Sequence, residues 1–141
     1  MSSKRFGYAW LAFALAVVVH VTDEATHDFL SIYNPTARAI REQLPFLPLP
    51  TFSFPVWLGG LIAGIVLLLC LSPLAFRGNS RLRLIALPLA VIVGVFNACL
   101  HFGGSIYFHS WMPGVYSAPL LLAAGIWLLI AAGKPWRKAT S

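Results

Sequence analysis

The sequence predicts an all-α membrane protein, a four-transmembrane-helix bundle with both termini in the cytoplasm. Of its 141 residues, 59% are hydrophobic and only 10% are charged, whereas a soluble domain carries about a quarter charged residues. The apolar residues form four blocks, each close to the roughly 20 residues that a helix needs to cross a bilayer. We therefore expect a single transmembrane domain over residues 1–141, with spans at about 6–30, 54–76, 84–102 and 115–133.

The distribution of basic residues indicates how these spans are oriented. Eight of the ten lysines and arginines fall in segments that four spans place on one side of the membrane. They are Lys4, Arg5, Arg77, Arg81, Arg83, Lys134, Arg137 and Lys138. Because basic residues concentrate on the cytoplasmic side, we expect cytoplasmic termini in a bacterial inner (plasma) membrane. The net charge of +6 then reflects topology and lipid headgroups, and it does not indicate nucleic-acid binding.

The first half of the chain is predicted to form one long helix, a short helix and an outer loop. Span one lacks a small-x-small cleavage site, so we expect it to be retained rather than removed as a signal peptide. It should continue to about Leu30 and end before Asn34-Pro35, because proline stops helices. A short polar helix at 37–43 comes next. The proline-rich outer loop 44–55 should then lie at the membrane interface and cover the outer mouth of the bundle.

The later spans carry packing and turn signals. Gly60-x-x-x-Gly64 in span two has the spacing that allows two helices to approach closely. The short turn at 76–81 makes spans two and three antiparallel neighbours. Pro88 should bend span three, and Pro113-Gly114 is typical of a turn before span four.

Ionisable residues gather at the end of span one. Three of the four acidic residues and two of the four histidines lie within residues 20–28. If the helix continues, His20, Asp23, Glu24 and His27 have i, i+3, i+4, i+7 spacing and share one face. Ionisable groups in a membrane helix usually mark a functional site. This segment therefore predicts a binding or reactive site.

Span three is predicted to complete this site. His101 falls at the outer end of span three, with Asn97 one turn before it, at the depth of the histidines of span one. His109 follows in an aromatic loop and is predicted to be interfacial. Histidine and carboxylate side chains that converge from different helices are typical of a metal site in a bundle. Glu24-x-x-His27 occurs once, which favours a mononuclear site, or a dinuclear site poor in carboxylates, over a carboxylate-bridged di-iron centre.

We therefore predict a divalent metal ion, zinc or iron, as the cofactor. The predicted metal ligands are His20, Glu24, His27 and His101, and the predicted catalytic residues are Asp23, Glu24 and Asn97. Asp23 or Asp28 is expected to orient a ligand imidazole or to act as a base. Two cysteines, Cys70 and Cys99, lie within apolar spans. Their positions exclude a cysteine-rich structural zinc site, and we assign them no role.

These residues resemble a known family. His20-x-x-Asp23-Glu24 is similar to the signature of the HXXEE family of small integral membrane proteins. Asn97-x-x-x-His101, with Pro113-Gly114 before the last span, resembles that family's second conserved region. The resemblance covers about residues 20–122. It departs at Asp23, where the family name shows Glu, so the side chain is one methylene shorter. The resemblance implies a polar site and an enzyme, without assigning a substrate.

The leading hypothesis is a metal-dependent membrane enzyme at the outer membrane face. We expect a lipid-like or isoprenoid-like substrate, with hydrolysis, isomerisation and oxidation all open. In one alternative, the charged end of span one only faces water and headgroups and has no function. The others are haem b bound by His20 and His101, metal-free acid–base chemistry, and a non-catalytic subunit of a membrane complex. An ion pathway is disfavoured, because the inner halves of the spans lack titratable groups. The expected partners include membrane lipids. Four short spans are also compatible with a homo-oligomer or a larger membrane complex.

Overall fold

The computed structural model describes residues 3–133, and these residues are mostly helical, without a strand. Three segments are long and apolar enough to cross a membrane: Ser3–Thr26, Phe54–Phe76 and Ser80–Tyr107. A fourth apolar helix, Ala118–Gly133, is shorter. Membrane-compatible helices are therefore present, as the composition predicts.

The first segment is helix α1 (Ser3–Thr26), and its end differs from the prediction. Asp28 adopts a left-handed conformation, with φ 54 and ψ 50, and separates α1 from α2 (Phe29–Gln43). A left-handed residue breaks the helical ladder, so α1 does not continue to Leu30. Conversely, α2 does not stop before Pro35, which lies inside it. One kinked pair of helices therefore replaces the predicted long helix and short helix.

The next span consists of α3 (Phe54–Cys70) and the short α4 (Ser72–Phe76). Pro55 stands in the first turn of α3, where its missing N–H costs nothing. A turn with Gly78 at φ 71 leads to α5 (Ser80–Leu89), whose first turn is capped by the Asn79 side chain accepting from the Leu82 N–H at 3.0 Å. The proline-rich loop between α2 and α3 therefore ends where α3 begins, at Phe54.

The third segment changes its helical pitch in the middle. After Pro88 near the end of α5, residues Ala90–Phe96 form a π-helix, and α6 (Asn97–Tyr107) follows directly. Proline cannot donate the usual backbone hydrogen bond, and wide turns of this kind are often found at functional sites. The π-helix ends where Asn97 begins α6, so it determines which way the polar residues of α6 face.

The last helix, α7 (Ala118–Gly133), packs against α1, α5, α6 and the π-helix. Its closest approach is at Gly125, where an added Cβ would lie 2.9 Å from the Cα of Gly94 in the π-helix. The small residues that allow close helix contact are therefore Gly94 and Gly125. Gly60 and Gly64 have nothing within 4 Å of an added Cβ, so the predicted packing motif of α3 makes no helix contact among the described residues.

The core surrounds α1, with Phe6, Trp10 and Phe13 among the largest fully buried side chains. At the far end from Glu24, the Arg83 guanidinium donates to the carbonyls of Ala131 and Ala132 at 3.0 and 3.2 Å and lies over the Phe6 ring. A cation at a helix C-terminus is favourable. The starts of α1 and α5 and the end of α7 therefore share one end of the bundle; Lys134, Arg137 and Lys138 lie outside the described residues.

Candidate metal centre

Three buried polar side chains meet near the end of α1. His20 and Glu24 lie one turn apart on α1, and His101 lies on α6. Nε2 of His101 is 3.1 Å from Oε1 of Glu24 and 3.2 Å from Nε2 of His20. The third side of this triangle, from Nε2 of His20 to Oε1 of Glu24, is 3.6 Å. We refer to His20, Glu24 and His101 as the triad.

The helical spacing explains how these atoms converge. His20 and Glu24 are four residues apart, so they project from the same side of α1. His101 follows Asn97 by four residues, and both face α1. The Asn97 amide nitrogen lies 3.0 Å from Nε2 of His20. Two residues from each helix therefore meet at one point, as the matching depth of spans one and three predicts.

Ser117 connects the triad to Asp23. Its Oγ donates to Oδ2 of Asp23 at 2.7 Å, and its backbone N–H donates to the same oxygen at 2.9 Å. Oγ also lies 3.1 Å from the carbonyl of Gly114, but a bond to a carboxylate is the stronger of the two. Because the hydroxyl proton of Ser117 points to Asp23, Oγ accepts a hydrogen bond from Nδ1 of His20 at 2.8 Å. The Nε2 lone pair of His20 then faces the other triad atoms.

Gly114 shapes the other side of the site. Its φ is 88°, which favours glycine, and an added Cβ would lie 2.5 Å from Cε1 and 2.8 Å from Nδ1 of His101. Nδ1 of His101 is buried and has no hydrogen-bond partner among the described residues. The imidazole of His101 is therefore held by packing against Gly114 and the Phe29 ring, whose centroid is 5.7 Å away. Pro113-Gly114 is more than a turn signal, because it makes room for the ring.

The structure does not bring His27 to the triad. His27 follows the end of α1, its side chain is 53% exposed, and its Nδ1 lies 2.9 Å from Oδ1 of Asp23. The four residues predicted to share one face are divided because α1 ends at Thr26. Asp28 is exposed at the break, and His109 is exposed in the loop after α6. Cys70 and Cys99 are exposed, free cysteines.

A cavity of about 570 Å³, which we call the upper cavity, adjoins the triad. Glu24 and Asn97 contribute polar atoms to its wall, and aromatic side chains contribute much of the rest. They are Phe29, Tyr33, Phe52, Trp57 and Phe96. Phe52 comes from the proline-rich loop, so this loop contributes to the cavity wall.

Asn34 attaches that loop to α2. Its side-chain NH₂ donates to the Phe52 carbonyl at 2.9 Å, and its Oδ1 accepts from the Phe52 N–H at 3.0 Å. The Tyr33 hydroxyl also donates to the Pro50 carbonyl at 3.0 Å. These three bonds hold Phe52 over the cavity.

Sequence reasoning did not identify Ser117 or Asn34 as site residues. Ser117 is 94 residues from Asp23 along the chain, and a serine after a turn carries no signal of its own. Its only mark in the sequence is that it is a polar residue at the start of an apolar helix. Asn34-Pro35 indicates a helix stop in the sequence, whereas the Asn34 side chain pairs with the backbone of the loop.

The donor set of the triad matches a metal site. Two imidazole nitrogens and one carboxylate oxygen lie close enough to hold one ion. The two rings meet edge to face, with centroids 4.7 Å apart. Axial histidines bind opposite faces of a haem iron, so these adjacent rings give no support to haem b.

Comparison with known proteins agrees with the motif. A family model described as "Protein of unknown function with HXXEE motif" matches residues 10–128. No match of significance was found among curated proteins or among solved structures. His20 and Glu24 of the motif stand in the triad, and Asp23, which replaces the first Glu, binds Ser117. The chain belongs to the HXXEE family.

Proposed function

We propose that this protein is an integral membrane enzyme that uses a divalent metal ion, zinc or iron, to act on a lipid-like or isoprenoid-like substrate. In this proposal His20, Glu24 and His101 hold the ion. Asp23 and Ser117 orient His20, and Asn97 contacts the substrate. His27 is left out of the ligand set because its side chain faces Asp23 and solvent.

The observation that carries the proposal is the triangle of donor atoms. A circle through these atoms, with sides of 3.1, 3.2 and 3.6 Å, has a radius of about 1.9 Å, slightly shorter than the ~2.0–2.2 Å bonds that zinc forms with nitrogen and oxygen. His20, Glu24 and His101 would therefore be close enough to one another to hold one such ion. All three residues are buried, so a metal would also offset the cost of burying a carboxylate between two imidazoles.

Three protein ligands favour a catalytic site over a structural one. Structural zinc sites are closed by four protein ligands, whereas catalytic sites keep one position open. Two histidines and one carboxylate are also the ligand set of many non-haem iron oxygenases. Glu24 lines the upper cavity, so an open position on that side is accessible to a substrate. A bound ion would supply Lewis-acid polarisation of a substrate oxygen.

The surrounding residues have defined tasks in this proposal. The Asn97 amide lines the cavity, and its nitrogen lies 3.0 Å from Nε2 of His20. An ion bound at Nε2 would take the lone pair that faces this amide, which would then donate its hydrogen bond to a substrate oxygen. Asp23 and Ser117 keep the proton of His20 on Nδ1, which leaves Nε2 free to bind the ion. Phe29 and Trp57 stack 5.9 Å apart over the site and exclude water from it.

We also propose that α7 is a fourth span, that both termini are cytoplasmic and that the triad lies near the outer face. Helix α7 has 16 residues and is about 24 Å long at ~1.5 Å per residue, somewhat less than the ~30 Å hydrocarbon core. The charge distribution of the sequence supports the orientation. Reporter fusions at each terminus, with a third in the loop 44–53, test it.

A second function is favoured by one distance. Nε2 of His101 lies 3.1 Å from Oε1 of Glu24, which also suits an N–H···O bond in a metal-free acid–base pair. Such a pair would serve proton transfer in an isomerase. The presence or absence of bound metal separates the two functions.

Elemental analysis of the detergent-purified protein tests the leading proposal. We expect about one zinc or iron ion per chain, lost in His20→Ala, Glu24→Gln and His101→Ala. His27→Ala and His109→Ala are the matched controls and should keep it. Wild-type protein without metal after reconstitution would overturn the proposal and favour the acid–base pair. A haem absorption band would replace it with haem b.

A further inference from the structure

A second cavity lies next to the upper cavity along α3. This lower cavity has a volume of about 370 Å³ and shares Gly60, Leu61 and Val93 with the upper one. It extends between α1 and α3 as far as Leu68 and Leu71. The two cavities therefore adjoin along α3, and we call them together the chain groove.

Only the triad end of the chain groove has polar side chains suited to a head group. Glu24 and Asn97 stand at that end. The lower cavity is lined by apolar side chains and glycines. The one polar side-chain group among them is the indole N–H of Trp10, and it donates to the Leu68 carbonyl at 2.8 Å. A ligand that fits both ends must be amphiphilic, with its polar group at the triad.

The length of the groove matches a membrane lipid chain. From Trp57 to Leu68 along α3 the groove runs about 16 Å at ~1.5 Å per residue, which is about half of the ~30 Å hydrocarbon core. One acyl chain of one leaflet occupies that depth. The lower cavity, at about 370 Å³, lies near the small end of the ~300–1,000 Å³ range of ligand sites, which favours one chain over two.

Gly60 and Gly64 form part of the groove wall because they have no side chains. Both line the lower cavity, whereas Gly59 lines neither cavity. All three have nothing within 4 Å of an added Cβ. A Cβ at any of them therefore meets no atom within 4 Å, but only at Gly60 and Gly64 would a side chain enter the groove.

We propose that the chain groove binds the single hydrocarbon chain of an amphiphilic substrate, and that Gly60 and Gly64 set the length of chain that fits. The position proposed for the head group rests on the proposed metal site, whereas the position proposed for the hydrocarbon chain rests on the groove alone. Gly64 lies about 10 Å beyond Trp57 at ~1.5 Å per residue. A side chain there would block the lower groove and leave room for a short chain above it.

Alkylhydroxamic acids test the length preference, because the hydroxamate binds zinc or iron and the chain can be varied. In wild-type protein we expect hexadecylhydroxamic acid to bind more tightly than the octyl compound. Gly64→Leu should weaken the hexadecyl compound by about tenfold or more, the cost of an overfilled site, and leave the octyl compound unchanged. Gly60→Leu should weaken both. Gly59→Leu is the matched control and should behave as wild type.

Photolabelling tests the groove without the metal. Hexadecanol with a terminal diazirine should label the peptide that contains Ile85 and Leu89, which line the lower cavity, and Gly64→Leu should abolish that labelling while Gly59→Leu does not. Equal labelling in all variants would overturn the chain groove even if metal is bound. A dimer present in the wild type and lost in all three variants would overturn the groove and assign these glycines to contact with a second copy. If the protein binds no metal but is labelled as expected, only the proposed function is overturned.

Discussion

The hydroxyl of Ser117 lies 2.8 Å from Nδ1 of His20 and donates to Asp23 at 2.7 Å. Asp23 therefore acts on His20 through a serine in the turn just before α7. Outer residues of this kind fix the tautomer and orientation of metal-binding histidines. The first acid of the motif is thus a positioning residue in our account, and the second acid, Glu24, is the ligand.

Removal of the Ser117 hydroxyl should weaken metal binding without removing a ligand. We expect Ser117→Ala to lower metal affinity by about 10–100-fold, the usual effect of losing such a partner. Ser117→Thr keeps the hydroxyl and should retain most of the affinity. Titration of the metal-free protein with cobalt, followed by its visible absorption, measures both. Equal affinity in Ser117→Ala and wild type would contradict the assigned role.

Replacement of Asp23 by Asn should have a similar effect. The amide keeps the shape but removes the charge that accepts two bonds from Ser117, so we again expect a loss of about 10–100-fold in metal affinity. Asp28→Asn is the control, because Asp28 is an exposed acid at the helix break and Asn tolerates a left-handed backbone. A loss in both variants would point to surface charge rather than to the bond with Ser117.

A methyl group at Gly114 should displace His101. Gly114→Ala places a Cβ 2.5 Å from the ring at a φ of 88°, and the backbone strain alone costs about 1–2 kcal/mol. We expect lower thermal stability together with loss of metal. Gly103 on α6 has nothing within 4 Å of an added Cβ. Gly103→Ala should therefore leave metal content unchanged and leave thermal stability unchanged or slightly higher. Full metal binding by Gly114→Ala would show that His101 does not need its present position.

Loss of the Asn34 side chain should release the proline-rich loop. Asn34→Ala removes both bonds to the Phe52 backbone, each worth about 0.5–1.5 kcal/mol. We expect faster hydrogen exchange and proteolysis at residues 44–53, with metal content unchanged because the triad is untouched. Ser53→Ala, at a residue whose side chain makes no cap bond, serves as the comparison. Unchanged exchange in Asn34→Ala would mean that the loop is held by other contacts.

Much of the fold could be predicted because membrane helices leave a strong signal in the sequence. Long apolar blocks and a proline-rich break predict an all-helical chain, and helices long enough to cross a membrane are present. The break at Asp28 could not be predicted, because an aspartate is compatible with a continuing helix. The π-helix at Ala90–Phe96 likewise could not be predicted, because Pro88 before it indicates a bend but not the pitch of the turns that follow.

The site could be predicted only where helical spacing determines the geometry. His20 and Glu24 are one turn apart on one helix, and the depth of His101 follows from counting residues along span three. His27 shares the spacing but lies beyond the end of α1. Ser117 reaches Asp23 only through the packing of α7 on α1, and no spacing in the sequence encodes that contact.

X-ray absorption spectroscopy of the metal-loaded protein tests the central claim most directly. We predict two imidazole nitrogens at about 2.0–2.1 Å and a carboxylate oxygen at about 2.0–2.2 Å, with no sulfur near 2.3 Å. In His101→Ala the metal should be lost, or one imidazole contribution should disappear. A spectrum with sulfur ligands, or one that is unchanged in His101→Ala, would contradict the assignment of His20, Glu24 and His101 as the metal site.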